Sequence, residues 1–264
     1  MKRRYLALML VVLMLVPAHA FAAITFFWRA EGTTLDGTAD YSAGDTTATA
    51  SGTPAINATA AIIGSNGIQV DSSADRYRFT NTSIITAAAG SVGFYINWQT
   101  FSAAGATWFY AQGVSFNDYV QVRGINTDEL RLSIKNTVPG ATVNLDTTAV
   151  NITTGSNYFV TISWDDAADL RRICVYNSGG TLVEACTVSS AAFDAPVDLT
   201  GTDNLEFGEA NGFSTAYYLD NLFVGSAYAD ADTFYCNRNI TTYASYAACS
   251  SSDNTSFFPR RSIQ

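Results

Sequence analysis

Acid–base chemistry in this chain must come from carboxylates, tyrosines and arginines. Its one histidine, His19, lies in the amino-terminal apolar segment, and nothing after it carries an imidazole. A Ser-His-Asp triad is thereby excluded, as is a cysteine nucleophile paired with imidazole. A zinc site of the usual nitrogen and sulfur type has no histidine to complete it. Hydrolysis of a glycosidic bond needs two carboxylates on opposite sides of one bond. The glutamates are Glu31, Glu129, Glu184, Glu206 and Glu209. Glu206 and Glu209 are three apart, so on an extended strand they point to opposite faces and do not share a substrate. Recognition asks less than catalysis. Aromatic rings stack on sugar faces, and planar amides or charged groups bond hydroxyls. The residues with that chemistry on polar strand faces are Tyr119, Gln121 and Arg123 in one segment and Tyr95 and Asn97 in another. If those strands are neighbours, the five form one aromatic and amide-bearing groove. Trp28, Trp98, Trp108 and Trp164 each sit in an apolar strand and are expected in the core.

The elements that must position these residues are strands. From Ile24 onward, short alternating runs are bounded by Gly, Asn, Asp, Ser and Thr, with almost no helix-period stretch. Val92, Phe94, Ile96 and Trp98 share one face, against Tyr95, Asn97 and Gln99 on the other. Val120 and Val122, and then Leu130, Leu132 and Ile134, alternate with polar residues around the loop 124–128, which predicts a hairpin. Tyr158 to Trp164, Leu170 to Tyr176, Thr181 to Val188 and Ala216 to Val224 continue the meander. Residues 33–60, rich in Thr, Ala, Gly and Asp, read as a long surface loop with one weak strand. Pairing of the first strand with the last would close a two-sheet sandwich.

Residues 1–22 read as a signal peptide: Lys2, Arg3 and Arg4, an apolar run from Leu6 to Val16, then Pro17 and overlapping small-x-small sites. Residues 23–226 are expected to form the sandwich and 227–264 a polar tail, partly docked. Cleavage would remove three of the 14 lysines and arginines, leaving eleven against 23 acidic residues and a formal charge of −12. Nucleic acid is not an expected partner, because a polyanion needs a clustered basic face. The four cysteines, Cys174, Cys186, Cys236 and Cys249, are even in number in a chain expected to be exported, which predicts two disulfides. Of three connectivities, neighbour pairing is preferred, because Asn177-Ser178-Gly179-Gly180 turns the chain between the first two.

The order of segments resembles the laminin-G-like branch of the concanavalin A-like lectin and glucanase superfamily. The likeness is carried by Gly90 to Trp98, the hairpin Tyr119 to Ile134, Asn157 to Trp164, Leu170 to Glu184 and Tyr217 to Val224, and covers residues 24–228. It implies an all-β fold, an antiparallel two-sheet jelly roll with ligands on edge loops or the concave face. It also implies a structural calcium ion between the first and last strands, with Glu31 and Asp220 as candidate ligands. The Glu-x-Asp-x-x-Glu motif of the glucanase branch is absent. Lyases on related folds use Tyr and His with Arg or Gln, and only the His is missing. The expectation is a secreted, non-catalytic glycan-binding or adhesion module. The alternatives are a carbohydrate-active enzyme on the same fold and a structural or protein-binding envelope subunit.

Overall fold

A computed structural model describes residues 24–32, 37–72, 74–81, 83–100, 107–113, 118–125, 129–136, 140–148, 152–196, 199, 201–208, 216–228 and 238–239. The expected signal peptide, Glu209, Cys236 and Cys249 lie outside them, as does most of the expected tail.

The chain forms a β-sandwich of two antiparallel sheets, as the alternation predicts. One sheet has nine strands. Its order is β14 (Thr187–Ser189), β13 (Leu170–Asn177), β12 (Asn157–Asp165), β7 (Ala89–Trp98), β16 (Tyr217–Gly225), β1 (Ile24–Trp28) and β2 (Tyr41–Ser42). Beside that path, β5 (Gly67–Val70) pairs with β16, and β4 (Ala55–Asn57) pairs with β5. The other sheet has seven strands: β11 (Thr142–Asp146), β10 (Glu129–Lys135), β9 (Tyr119–Ile125), β8 (Thr107–Gln112), β15 (Gly201–Gly208), β6 (Arg76–Asn81) and β3 (Thr49–Ser51).

The core lies between the sheets and is built from alternate residues. Val92, Phe94, Ile96 and Trp98 of β7 face Val120, Val122, Leu130, Leu132 and Ile134 across the sandwich. All four tryptophans are buried in it. Phe26, Trp28, Phe79 and Phe207 form an aromatic cluster, with Phe26 edge-on to Phe79 at 4.8 Å and parallel to Phe207 at 5.5 Å. Such geometries add attraction beyond the area they remove from water.

First and last strands do pair: β1 lies against β16 with Trp28 opposite Leu222. The predicted hairpin forms in register, Tyr119 opposite Lys135 and Arg123 opposite Arg131. Cys174 and Cys186 are joined, their Cα atoms 4.4 Å apart. The turn between them holds because Gly180 adopts φ +84° and its N–H donates to the Asn177 carbonyl at 2.9 Å. Two elements differ from the sequence reading. Among the described residues of 33–60 there are three short strands, β2, β3 and β4, rather than one. They pair with β1, β6 and β5, supplying the hydrogen-bond partners that their own weak apolar pattern does not advertise. The segment from Thr181 to Val188 forms ladder only at Thr187–Ser189, plus one bridge from Leu182 to Tyr176. Between them the disulfide tethers the chain above β13 instead of beside it.

Candidate functional site

The outer faces of the two sheets are built differently, which decides where a ligand can sit. On the nine-stranded sheet the outward residues Ile24, Phe27, Tyr95, Phe159, Cys174, Tyr176 and Phe223 make a second apolar cluster. It is roofed by Tyr41, Ile62, Ile63, Leu182, Cys186 and Ala227. The chain returns over it at residues 238–239: Tyr95 Oη donates to Asn239 Oδ1 at 2.6 Å, and Asn221 Nδ2 to the Arg238 carbonyl at 2.7 Å. Tyr95 is therefore a structural ring, in contact with Phe159 at 4.9 Å. Asn97 donates to Asn157 Oδ1 and the Gly155 carbonyl and accepts from Gln99.

The outer face of the seven-stranded sheet carries polar groups and rings instead. Period-two alternation puts Tyr119, Gln121 and Arg123 of β9 on it, because Val120 and Val122 take the core. Pairing then extends one row sideways: Asn144, Ser133, Gln121, Tyr110, Glu206 and Arg78 stand opposite one another on β11, β10, β9, β8, β15 and β6. Adjacent rows bring Lys135 to Tyr119 and Arg131 to Arg123. The expected five-residue groove thus divides. Tyr119, Gln121 and Arg123 stay together, while Tyr95 and Asn97 belong to the other sheet. The sequence places β7 and β9 two strands apart but cannot show that the chain changes sheets between them.

Hydrogen bonds and charge hold much of this face in place. Glu206 is flanked by Arg78 Nε at 2.9 Å and Arg76 Nε at 3.5 Å. Arg131 grips Asp146 through two contacts of 2.6 Å, and this bond holds its guanidinium above the usual range. Gln121 Nε2 donates to Thr107 Oγ1 at 2.8 Å, and Ser133 Oγ donates to Asn144 Oδ1 at 2.8 Å. The rings of Tyr110 and Tyr119 lie 5.7 Å apart, tilted by 38°, and Lys135 Nζ stands 6.0 Å from the Tyr119 ring. Burial raises the Tyr110 phenol well above its ordinary value, and the Glu206 and Tyr119 charges raise it further. Tyr110 therefore stays protonated, with its hydroxyl a hydrogen-bond donor on this face. Among the described residues neither phenol makes a hydrogen bond to the protein, and Arg123 has no hydrogen-bond or carboxylate partner. Tyr110, Arg76 and Arg78 were missed in the sequence. Their signal was available in the alternations Arg76-Tyr77-Arg78-Phe79 and Phe109-Tyr110-Ala111, but not the pairing that joins them.

Glu31 and Asp220 lie in one region at the junction where β16 leaves β5 for β1. Asn221 takes φ +44° there, and the pairing of β16 with β7 shifts register between Asp220 and Phe223. Asp220 is buried; its Oδ2 accepts from the Ile62 and Ile63 N–H groups at 2.9 and 2.8 Å and its Oδ1 from Asn221 at 2.8 Å. Burial pushes this carboxyl up to about 7, against those N–H groups, which favour the charged form, and with help from Glu31. Glu31 accepts from Ser65 and Asn66 N–H groups at 3.0 to 3.1 Å. Gly64, at φ +79°, leaves room for it: a Cβ there would overlap the Glu31 carboxylate. Both carboxylates therefore clamp the segment 62–66. All four oxygens face N–H donors, and no group of three or more His, Cys, Asp or Glu among the described residues could hold a metal ion.

No family model and no curated protein matches the sequence. Solved structures with a similar fold include the receptor-binding domain of botulinum neurotoxin C/D mosaic serotype, at TM-score 0.56 and 15% identity over 81% of this chain and 50% of that one. The botulinum neurotoxin serotype D ligand-binding domain in complex with N-acetylneuraminic acid aligns at TM-score 0.54 and 15% identity, over 80% and 51%. The receptor-binding domain of botulinum neurotoxin type G aligns at 0.53 and 12%, over 80% and 49%. The chain spans about half the length of these structures, and the likeness is one of fold.

Proposed function

We propose that this chain is a secreted, non-catalytic glycan-binding or adhesion module of the laminin-G-like, concanavalin A-like type, and that the glycan lies across the outer face of the seven-stranded sheet. One observation carries the reading: Tyr119, Gln121 and Arg123 share that face with Tyr110, Ser133 and the Arg78–Glu206 pair, and the Tyr110 and Tyr119 hydroxyls and the Arg123 guanidinium, unbonded among the described residues, are groups that bond sugars. The other sheet's outer face is already roofed. The named activities of the similar folds, receptor binding and a complex with N-acetylneuraminic acid, support it by analogy alone. The expected signal peptide and the Cys174–Cys186 bond support export. No described helix is long and apolar enough to cross a membrane.

The test is binding of the mature chain to a broad glycan array, with Tyr119→Ala beside it. Saturable, uncleaved binding that weakens about tenfold or more in Tyr119→Ala supports the reading, since losing stacking worth about 1.4 kcal/mol is tenfold in affinity. Binding that ignores Tyr119 and Tyr110 overturns the assigned face. A second reading, a lyase using Tyr119 and Arg123 on a uronate, draws on the same strand and predicts unsaturated-sugar absorbance with turnover. The envelope-subunit alternative relies on edge pairing: β2, β3, β4 and β14 offer edges of only two or three residues, and β11, five residues long, is the edge that could pair. Calcium, implied by the family resemblance, enters no step here; an unchanged affinity under chelator is the expected result.

A further inference from the structure

We infer that the glycan bound on this face is acidic, and that Arg123 pairs with its carboxylate; the inference rests on the glycan reading above. The face is out of character with the chain. The protein carries 23 acidic residues against 14 lysines and arginines. Yet Arg76, Arg78, Arg123, Arg131 and Lys135 all stand on the outward side of β6, β9 and β10. The ion pairs on this face take Glu206 to Arg76 and Arg78 and Asp146 to Arg131, and Glu129, outward on β10, adds its charge to the field at Arg131. Among the described residues Arg123 pairs with no carboxylate, and its half-buried side chain keeps an Nε that is shielded from water and unbonded. It also stands directly opposite Arg131, an arrangement of like charges that disfavours the folded sheet. Packing does not explain such a residue, whereas a planar anion does: a carboxylate meets the guanidinium fork with two parallel hydrogen bonds. From Tyr119 to Arg123 is four residues of strand, about 13 Å. A short acidic oligosaccharide can therefore stack one ring on the tyrosines and present another ring's carboxylate to Arg123.

The probes are oligogalacturonate, oligoalginate and 3′-sialyllactose, each beside its carboxyl-reduced form, with a sulfated neutral oligosaccharide of matched length. Titration calorimetry at low salt would use wild type, Arg123→Gln, Arg123→Lys and Tyr119→Ala, with thermal unfolding to show that each variant folds. At least one acidic probe is expected to bind about tenfold or more tighter than its reduced form. Arg123→Gln should erase that difference, Arg123→Lys restore only part of it, and Tyr119→Ala weaken both forms alike. Equal affinity for acidic and reduced forms, still dependent on Tyr119, overturns the charge assignment and leaves the glycan face standing. Preference for the sulfated probe over every carboxylate also overturns it. No binding to any probe, together with a blank array, removes both readings.

Discussion

Glu206 is the carboxylate on which the polar face is organised, since it stands beside Arg76, Arg78 and Tyr110 at once. Glu206→Gln should lower stability by about 1–3 kcal/mol, because two half-buried guanidinium groups lose their counter-charge; urea unfolding measures it. Asp220 makes a different prediction. Its carboxyl is raised from 3.8 to about 7 in the fold, so the neutral form is the one the native state favours. The sign follows from linkage: the stabilisation is complete below pH 3.8 and is lost as pH rises through 7. Melting temperature should therefore fall between about pH 4 and 7 and level off above, and Asp220→Asn should flatten that slope. Residue roles were only partly legible in the sequence. Alternation with buried valines was enough to put Tyr119, Gln121 and Arg123 on one outward face. Tyr95 obeys the same alternation but ends under Asn239, because alternation says which side of a sheet a residue takes and not what covers that side.

Among the elements, the hairpin β9–β10 was readable to its register, since both strands alternate cleanly around a polar loop. The strands of residues 33–60 were not, because Tyr41–Ser42, Thr49–Ser51 and Ala55–Asn57 are too short to show a period and owe their conformation to partners far along the chain. The turn-bearing segment Cys174 to Cys186 gave its disulfide through local turn chemistry. Replacing both cysteines by serine should cost about 3 kcal/mol, the loop-closure value for a loop of this size, seen as a lower denaturant midpoint. The segment after Gly225 is part of the fold at Ala227, Tyr228, Arg238 and Asn239: Ser91 donates to the Ala227 carbonyl at 2.9 Å, and Arg172 stacks 5.6 Å from the Tyr228 ring. Truncation after residue 226 should uncover Tyr95 and Phe223, raise binding of an apolar dye and lower the melting temperature.

At the scale of the whole molecule, the two outer faces differ among the described residues: that of the nine-stranded sheet is an apolar cluster under other chain segments, and that of the seven-stranded sheet sets half-buried Tyr110, Tyr119 and Arg123 beside buried Gln121, Ser133 and Glu206. That asymmetry carries the functional account, and it was beyond reach of the sequence, which gives the faces of strands but not the order 11-10-9-8-15-6-3 that aligns Ser133, Gln121, Tyr110, Glu206 and Arg78. Strand β15 enters that row from nearly a hundred positions away in the chain. The overall negative charge sets a further expectation: duplex DNA should not be retarded at physiological salt, because one cationic row in an acidic protein releases too few counterions to hold a polyanion. The central claim is that a glycan binds the outer face of the seven-stranded sheet at its half-buried Tyr119, Tyr110 and Arg123. The most direct measurement is affinity for the best array ligand in three proteins: wild type, Tyr119→Ala, and Tyr218→Ala, whose ring projects from the outer side of the other sheet beside Asn97. Loss of about tenfold or more in Tyr119→Ala with Tyr218→Ala unchanged is the predicted result. The reverse pattern, loss in Tyr218→Ala with Tyr119→Ala unchanged, would contradict it.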